Sequence, residues 1–424
     1  MCPMNYATAT PNPETTRSTV GICGAGIGGL VLALRLARLG FRPIVLEART
    51  REAALSEGEF LTLAPNGMNG LRAVDCYEDV VREGVETKAI ELRNAGGRRL
   101  FLVNQTDHRA KFGAPSVTVK RGALTRILIA KCEAEGIAVH FGRRVSSVAM
   151  NAYSVSLNFT ETGGLAVDFL VAADGLRSLV RSQVFSDFPA PHFTGLIGAG
   201  GIVDADIPAT DGVMRMTFGD QAFFGYITSA SGSVYWFNSF AADSADTVRG
   251  LDPNALADLL RKMHADDPSP NPEILREVKK VERSYPIFDM PPLPVWSRGR
   301  VVLLGDAAHA IGPHAGQGAS MAIEDSLVLS ACLAATLSHA DAFARYEALR
   351  RPRIAQVVKL TRQNAARKRK STRLGLLLRD LLLPLLLPIG IRMSRKLFAY
   401  RADLQPLGVL HAEFNDPRHR QDAA

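Results

Sequence analysis

The run Val20-Gly21-Ile22-Cys23-Gly24-Ala25-Gly26-Ile27-Gly28-Gly29 has the residue types and spacing to bind a pyrophosphate. An apolar strand leads into Gly24-x-Gly26-x-x-Gly29, and an amphipathic helix follows to Leu39. Gly24 permits the tight turn, Gly26 lets backbone amides approach the anion, and Gly29 lets the helix pack against the strand. The helix N-terminus then presents free N–H groups to the phosphates. Glu47 ends the next strand, where it can accept hydrogen bonds from an adenosine ribose. An acid there disfavours a 2′-phosphate, so FAD or NAD is expected rather than NADP.

Two further runs could serve the same ligand. In Val171-Ala172-Ala173-Asp174-Gly175 an apolar strand ends in Asp-Gly, and a short helix opens at Ser178. Read alone, that run is equally an ordinary strand, turn and N-cap. In the third, Val301 to Leu304 form a strand that ends at Gly305-Asp306, where a carboxylate can bind a ribityl or ribose hydroxyl. Pro313 precedes the turn Gly316-Gln317-Gly318, which feeds a helix whose amides can face an electron-rich ring edge. His309 and His314 lack the acid or cysteine spacing of a metal site, so no metal is expected.

These motifs need a scaffold, and the pattern supplies two lobes. Residues 19–48 form a βαβ unit, a β-rich stretch with helices continues to about 186, and the same lobe resumes near 299. From about 191 to 285 short alternating strands dominate: 213–218, 223–228, 234–240 and 277–285, with a helical insert at 254–264. The segment 89–103 adds strands to that second sheet. The fold class expected is therefore α/β: a discontinuous Rossmann-like lobe (19–90, 115–189, 285–355), an antiparallel substrate lobe (91–114, 190–284) and a helical C-terminal tail (356–424).

The 424 residues suffice for two joined lobes, and 47% hydrophobic against 22% charged residues is a globular balance. The five cysteines (Cys2, Cys23, Cys76, Cys132, Cys332) never form a CxxC pair, which points to a reducing compartment. Residues 1–18 are polar, without the apolar run of a signal peptide, and read as a disordered leader of a cytoplasmic protein. The net charge of +8 gathers late, in the acid-free stretch 350–373. Without interleaved aromatics it reads as a solvated helix face rather than a nucleic-acid site.

Taken together, the GxGxxG, DG and GD motifs resemble the flavoprotein aromatic hydroxylases, which include para-hydroxybenzoate, salicylate and urate hydroxylases and zeaxanthin epoxidase. The resemblance runs from Thr19 to Ile354. It implies that Gly24, Gly26, Gly29 and Glu47 hold the AMP half of FAD, that Arg49 flanks the adenine, and that Arg121 reaches the phosphates or ribose. It further implies that Asp174 serves both FAD and NAD(P)H, that Asp306 binds the ribityl chain, and that Pro313, Gly316, Gln317 and Gly318 line the isoalloxazine ring. The implied reaction uses NADH or NADPH and O2, and inserts one oxygen atom into a small cyclic substrate through a C4a-hydroperoxyflavin. The protein's share is positioning and exclusion of water.

Alternatives remain open. A reductase or oxidase of the same fold would share the first and third motifs but usually lacks the Gly305-Asp306-Ala307-Ala308-His309 run, and three intact motifs argue against a non-enzymatic flavin protein. Family members carry a polar residue after Tyr/Phe-x-Gly, whereas Phe193-Thr194-Gly195-Leu196-Ile197-Gly198-Ala199-Gly200-Gly201 has no arginine. That favours neutral, bulkier substrates, although the small residues could equally serve close strand packing. Phe223, Phe224, Tyr226, Tyr235, Trp236 and Phe237 are pocket candidates, of which alternate members should face inward. Tyr226 and Asn238 are the polar candidates for substrate contact. The apolar run 374–389 is interrupted by Arg379, Asp380, Pro384 and Pro388, too broken to span a membrane. It reads either as helices packed over the active-site lobe or, with its basic flanks, as a peripheral membrane contact over 362–396.

Overall fold

The first strand, Thr19–Cys23, is apolar and buried on both faces, so it needs partners on both edges. It pairs in parallel with Arg42–Leu46 on one side and Phe169–Ala172 on the other. The resulting six-stranded sheet has the order Ser297–Arg298, Val301–Leu303, Phe169–Ala172, Thr19–Cys23, Arg42–Leu46, Ala138–His140. Strand order reverses direction at Thr19–Cys23, and ligands of open parallel sheets bind at such a point, beyond the strands' carboxyl ends. The structure is a computed structural model that describes residues 18–56, 60–336, 338–366, 380, 382 and 395–404. The leader at 1–17 and the run 374–389, apart from 380 and 382, lie outside the described residues.

A seven-stranded sheet forms the second lobe, in the order Ser284–Asp289, His192–Asp204, Ser233–Ala241, Ala222–Thr228, Val213–Phe218, Ala89–Asn94, Arg99–Asn104. It is antiparallel except for Val213–Phe218, which runs parallel to Ala89–Asn94. The α/β class, the Rossmann-like lobe split along the sequence and the second sheet are as the sequence implied. One strand is displaced. Residues expected to extend from 277 to 285 begin instead as the end of a helix, Asn271–Glu277. Val278 and Val281, three apart, pack on Leu256 and Leu260 of the helix Pro253–Met263, so their spacing serves a core contact and not a strand face. The strand starts at Ser284 and hydrogen-bonds to His192–Asp204, so residues 285–289 join the second sheet and not the first lobe. Pro286 is tolerated there because the strand is an edge.

The helix Gly318–Ala335 is the one described helix long and apolar enough to cross a membrane. Here it packs against the helices Ile27–Arg38, Pro65–Arg72 and His339–Ala366. Two adjacent acids in it, Glu324 and Asp325, are fully buried. Arg350, also fully buried, donates to both, through Nε to Asp325 Oδ1 at 2.6 Å and through Nη1 to Glu324 Oε2 at 2.7 Å. Arg353 grips Glu324 with two bonds of 2.6 Å. Asn66 Nδ2 donates to Glu324 at 2.7 Å, and His309 Nε2 lies 2.6 Å from Asp325 Oδ2. Burial alone would raise the Asp325 pKa, but His309 and Arg350 outweigh it and hold the carboxyl below its ordinary range.

Removing one member of such a cluster leaves an uncompensated charge in the interior. Arg350→Met is expected to destabilise the fold by about 3–5 kcal/mol near pH 7, read as a lower urea midpoint. Because the folded-state pKa of Asp325 is depressed, its stabilising contribution is full above the unfolded carboxyl value and is lost as pH falls. The gap between the two proteins should therefore narrow below about pH 4.

Candidate active site

The glycine turn is held by three different contacts. Gly24 has φ +106°, and a Cβ there would lie 2.3 Å from the Ala173 carbonyl oxygen. Gly29 closes the helix onto the turn, since a Cβ would lie 2.1 Å from the Gly24 carbonyl oxygen. Gly26 faces open space, with nothing within 4 Å of an added Cβ, and it lines a large cavity. Behind the turn Glu47 is buried, and its Oε2 accepts from the Ala25 amide at 2.9 Å. Its Oε1 accepts from Arg49 N and Nε, each at 2.9 Å. Burial would raise the Glu47 pKa, but these bonds lower it, so the carboxylate stays charged. Neither Glu47 nor Arg49 is among the cavity-lining residues; the pair braces the turn from behind.

Asp174 also works from behind. Its Oδ2 accepts from the Val180 amide at 3.1 Å, while Ser178 caps the helix Leu179–Val184 as the sequence suggested. Asp174 Oδ1 is buried without a hydrogen-bond partner, and burial raises the pKa of the group. Gly175, next to it, opens on the cavity, with nothing within 4 Å of an added Cβ.

The third motif forms the far wall. Gly305 takes φ +60° and donates its amide to Asp325 Oδ2 at 3.2 Å. That bend sets Asp306, exposed to the cavity, on its wall, where desolvation raises its pKa against the pull of His309 and Arg121. Arg121, at the start of the helix Arg121–Ala134, lines the cavity too. Pro313–Ala315 forms a single 3₁₀ turn, Gly316 follows at φ +60°, and Gly318 starts the long helix. Cβ atoms added at Gly316 or Gly318 would meet nothing within 4 Å. Gln317 is buried and accepts from Asn66 at 3.0 Å. Among the described residues no group of three or more His, Cys, Asp or Glu could hold a metal.

The cavity has a volume of about 1390 Å³, beyond the roughly 300–1,000 Å³ of a pocket for one small molecule. It continues from Gly26 and Asp306 to the second sheet, where Met214, Met216, Phe218, Phe223 and Phe237 form an apolar wall. Strand alternation decides which aromatics face it. Phe223 and Phe237 do. Phe224, Tyr226 and Trp236 point to the opposite face, into the core under the helix Pro253–Met263. This corrects the expectation for Tyr226, which is buried and whose hydroxyl accepts from Arg215 at 3.1 Å. Arg215 is thereby directed away from the cavity by the same alternation. Asn238 borders the cavity, but its Nδ2 is bonded to His264 Nε2, with Asp267 on the other ring nitrogen at 2.8 Å. In the glycine-rich strand, a Cβ at Gly198 would lie 2.4 Å from the Tyr285 ring and one at Gly201 would lie 3.3 Å from Trp236 Nε1, so close packing accounts for these glycines.

The sequence reading did not single out Asn66, Glu324, Asp325, Arg350 and Arg353, which support the Gly316–Gly318 turn from beneath. The signal was present: two adjacent acids in an otherwise apolar helix demand cations. Gln105, His108 and Ser116 on the cavity wall carried no recognisable spacing.

Comparison with known proteins agrees with this geometry. Residues 17–361 match a family model described as an FAD binding domain. The chain is 30% identical over 340 residues to an aurachin C monooxygenase/isomerase of Stigmatella aurantiaca, covering 79% of this chain and 85% of that protein. It is 30% identical over 358 residues to a 3-amino-4-hydroxybenzoate 2-monooxygenase of Streptomyces cremeus, covering 82% of this chain and 86% of that one. The crystal structure of Klebsiella pneumoniae HpxO with FAD and uric acid shares the fold, with a TM-score of 0.77 and 24% identity over 89% of this chain and 95% of that one.

The open space at Gly26 sets a test. Gly26→Leu should fold with an unchanged circular dichroism spectrum, because its Cβ meets no protein atom. Its side chain would occupy the anion path, so purified protein should carry less than about a tenth of the normal flavin, a loss of at least ~1.4 kcal/mol in binding. Normal absorbance at 450 nm in this variant would show that the turn is not the binding site.

Proposed function

The chain belongs to the FAD-binding-domain family of flavoprotein hydroxylases and is an FAD- and NAD(P)H-dependent monooxygenase of small cyclic substrates, and within that activity we propose how its residues divide the work and what they accept. FAD lies along the cavity from the glycine turn to the Gly316–Gly318 loop. Gly24, Gly26 and Gly29 set the turn that meets the pyrophosphate at a helix N-terminus. Glu47 and Arg49 hold the AMP end, Glu47 by fixing the Ala25 amide. Arg121 neutralises phosphate charge, Asp306 binds ribityl hydroxyls, and Pro313, Gly316, Gln317 and Gly318 contact the ring. Asp174 holds the turn beside Gly175, where FAD and the nicotinamide nucleotide, NADH or NADPH, both pass. The orphaned Asp174 Oδ1 and the open glycine faces support this fit. When bound, FAD would supply the redox chemistry that couples NAD(P)H oxidation to insertion of one atom of O2 into the substrate, the other leaving as water. Protein groups orient the ring, exclude water and manage protons.

The observation that carries the reading is one continuous cavity joining open glycine turns to an apolar sheet face. The substrate is a flat, uncharged ring compound. A relative named for 3-amino-4-hydroxybenzoate must accommodate a carboxylate. Here the strand arginine Arg215 is turned away toward Tyr226, and Met and Phe side chains occupy the wall.

For the tail, packing over the active-site lobe is the reading with more support. Arg362 donates to Asp289 at 2.9 Å, and Arg395, Leu397 and Phe398 line the cavity. Peripheral membrane contact through 362–396, in a cytoplasmic protein, rests on the basic and apolar composition alone.

Purified protein should be yellow and should consume one O2 per NAD(P)H, with oxidation accelerated by an uncharged aromatic from a panel of phenolic, polyketide and terpenoid compounds. Substrate conversion without oxygen would exclude the monooxygenase and favour the reductase reading.

A further inference from the structure

One cavity wall carries polar groups that neither the cofactor sites nor the core explain. The strand Arg99–Asn104 leads to Gln105 and the short helix His108–Phe112, and the chain returns through Ser116 to the strand Val117–Lys120. Gln105, His108 and Ser116 all line the cavity, yet are only 7%, 5% and 3% exposed. Buried polar atoms are costly unless hydrogen-bonded. His108 Nδ1 lies 3.2 Å from Ser116 Oγ. The ring is fixed between Phe112 and Phe398, with both centroids 5.2 Å away. Its Nε2 has no partner among the described residues, and Gln105 Oε1, on the same wall, is buried without one.

We propose that His108 is a catalytic base that accepts a proton at Nε2 from a ring-conjugated O–H or N–H, so that the substrate is a flat, uncharged aromatic bearing such a group. This inference rests on the monooxygenase reading above. Ser116 accepts from Nδ1–H and so fixes the tautomer whose Nε2 lone pair meets the substrate. Gln105 Oε1 receives a second donor on the same ring. In the step, the substrate X–H bond breaks and Nε2–H forms. The electron pair left on X conjugates into the ring and makes an ortho or para carbon the nucleophile toward the electrophilic oxygen. A C–O bond forms there as the O–O bond of the reduced dioxygen breaks, the second oxygen leaves as water together with the displaced C–H proton, and Nε2–H returns its proton to X. The net change is ring C–H to C–OH, with NAD(P)H and O2 supplying the redox balance. The surroundings suit a base that is neutral at rest. Burial lowers the His108 pKa, Lys111 and Arg395 act in the same sense, and Asp107 opposes them. Ser116, Phe112 and Phe398, the remaining groups packed on the ring, carry no charge.

The test uses the FAD-loaded enzyme and three probes: 7-hydroxycoumarin, whose ionisation changes its absorbance, 7-methoxycoumarin, which has no acidic proton, and salicylate, which is an anion. Binding is followed by perturbation of the flavin spectrum, and turnover by NAD(P)H oxidation and product analysis. The expected result is that both coumarins bind better than salicylate. Only the hydroxy probe should be hydroxylated. His108→Gln should keep its flavin and lower that turnover by about 100-fold near pH 7, with recovery at alkaline pH where the probe ionises unaided. Ser116→Ala should lower it by about tenfold, with the same alkaline recovery. A yellow, NAD(P)H-oxidising enzyme that prefers salicylate, binds neither coumarin, or is unaffected by His108→Gln overturns the proposal and leaves the monooxygenase reading intact. A protein that neither binds FAD nor oxidises NAD(P)H removes both.

Discussion

Two adjacent carboxylates buried in an apolar helix govern how this site is held. Glu324 and Asp325 cannot stay charged in the interior without cations, and the chain brings Arg350 and Arg353 from the following helix. The remaining bonds reach three segments beside the cavity: His309 and Gly305 from the third motif, Asn66 from the helix Pro65–Arg72, and the Leu397 carbonyl, which accepts from Arg353 at 2.9 Å. Charge satisfaction therefore fixes loop geometry. Breaking one bond leaves its partner buried and unpaired, so the arrangement is enforced by the cost of departing from it.

The same logic of sidedness shapes the second lobe. On the strand Val213–Phe218, Met214 and Met216 face the cavity and Arg215 faces the core, where the Tyr226 hydroxyl meets it. A shift of one residue in register would put a cation on the cavity wall and a methionine against the tyrosine. The register thus sets specificity as well as packing: it decides that the wall formed by Met214, Met216, Phe218, Phe223 and Phe237 is apolar.

The cofactor lobe was legible because its glycines answer to local geometry. Gly24, Gly29 and Gly305 are dictated by positive φ or by backbone contacts under 2.5 Å, and such requirements leave a fixed spacing in the sequence. The strands 213–218, 223–228 and 234–240 were legible from alternation. Their inward face was not, because an aromatic on either face of a two-sided buried sheet looks alike in sequence; hence Tyr226 was assigned to the wrong side. Asn238 does border the cavity, but the bond that holds its amide was not legible. Its partner, His264, lies beyond an irregular loop, and no periodicity links the two. The stretch 277–285 differs because Val278 and Val281, three apart, share one core cluster under the helix Pro253–Met263, and the strand begins only at Ser284.

Ligand-facing groups and the groups that fix them occupy separate layers. Gly26, Gly175, Gly316 and Gly318 present backbone and open space to the cavity. Glu47, Asp174 and Asp325 stand behind and hold those turns by accepting hydrogen bonds from backbone amides. Turns fixed in this way need not reorganise when a dinucleotide arrives, which spares the entropy of ordering them. A cofactor held mostly by backbone would leave the far wall to vary independently, so a chain of this fold could change its substrate through strand register and one loop without altering those turns.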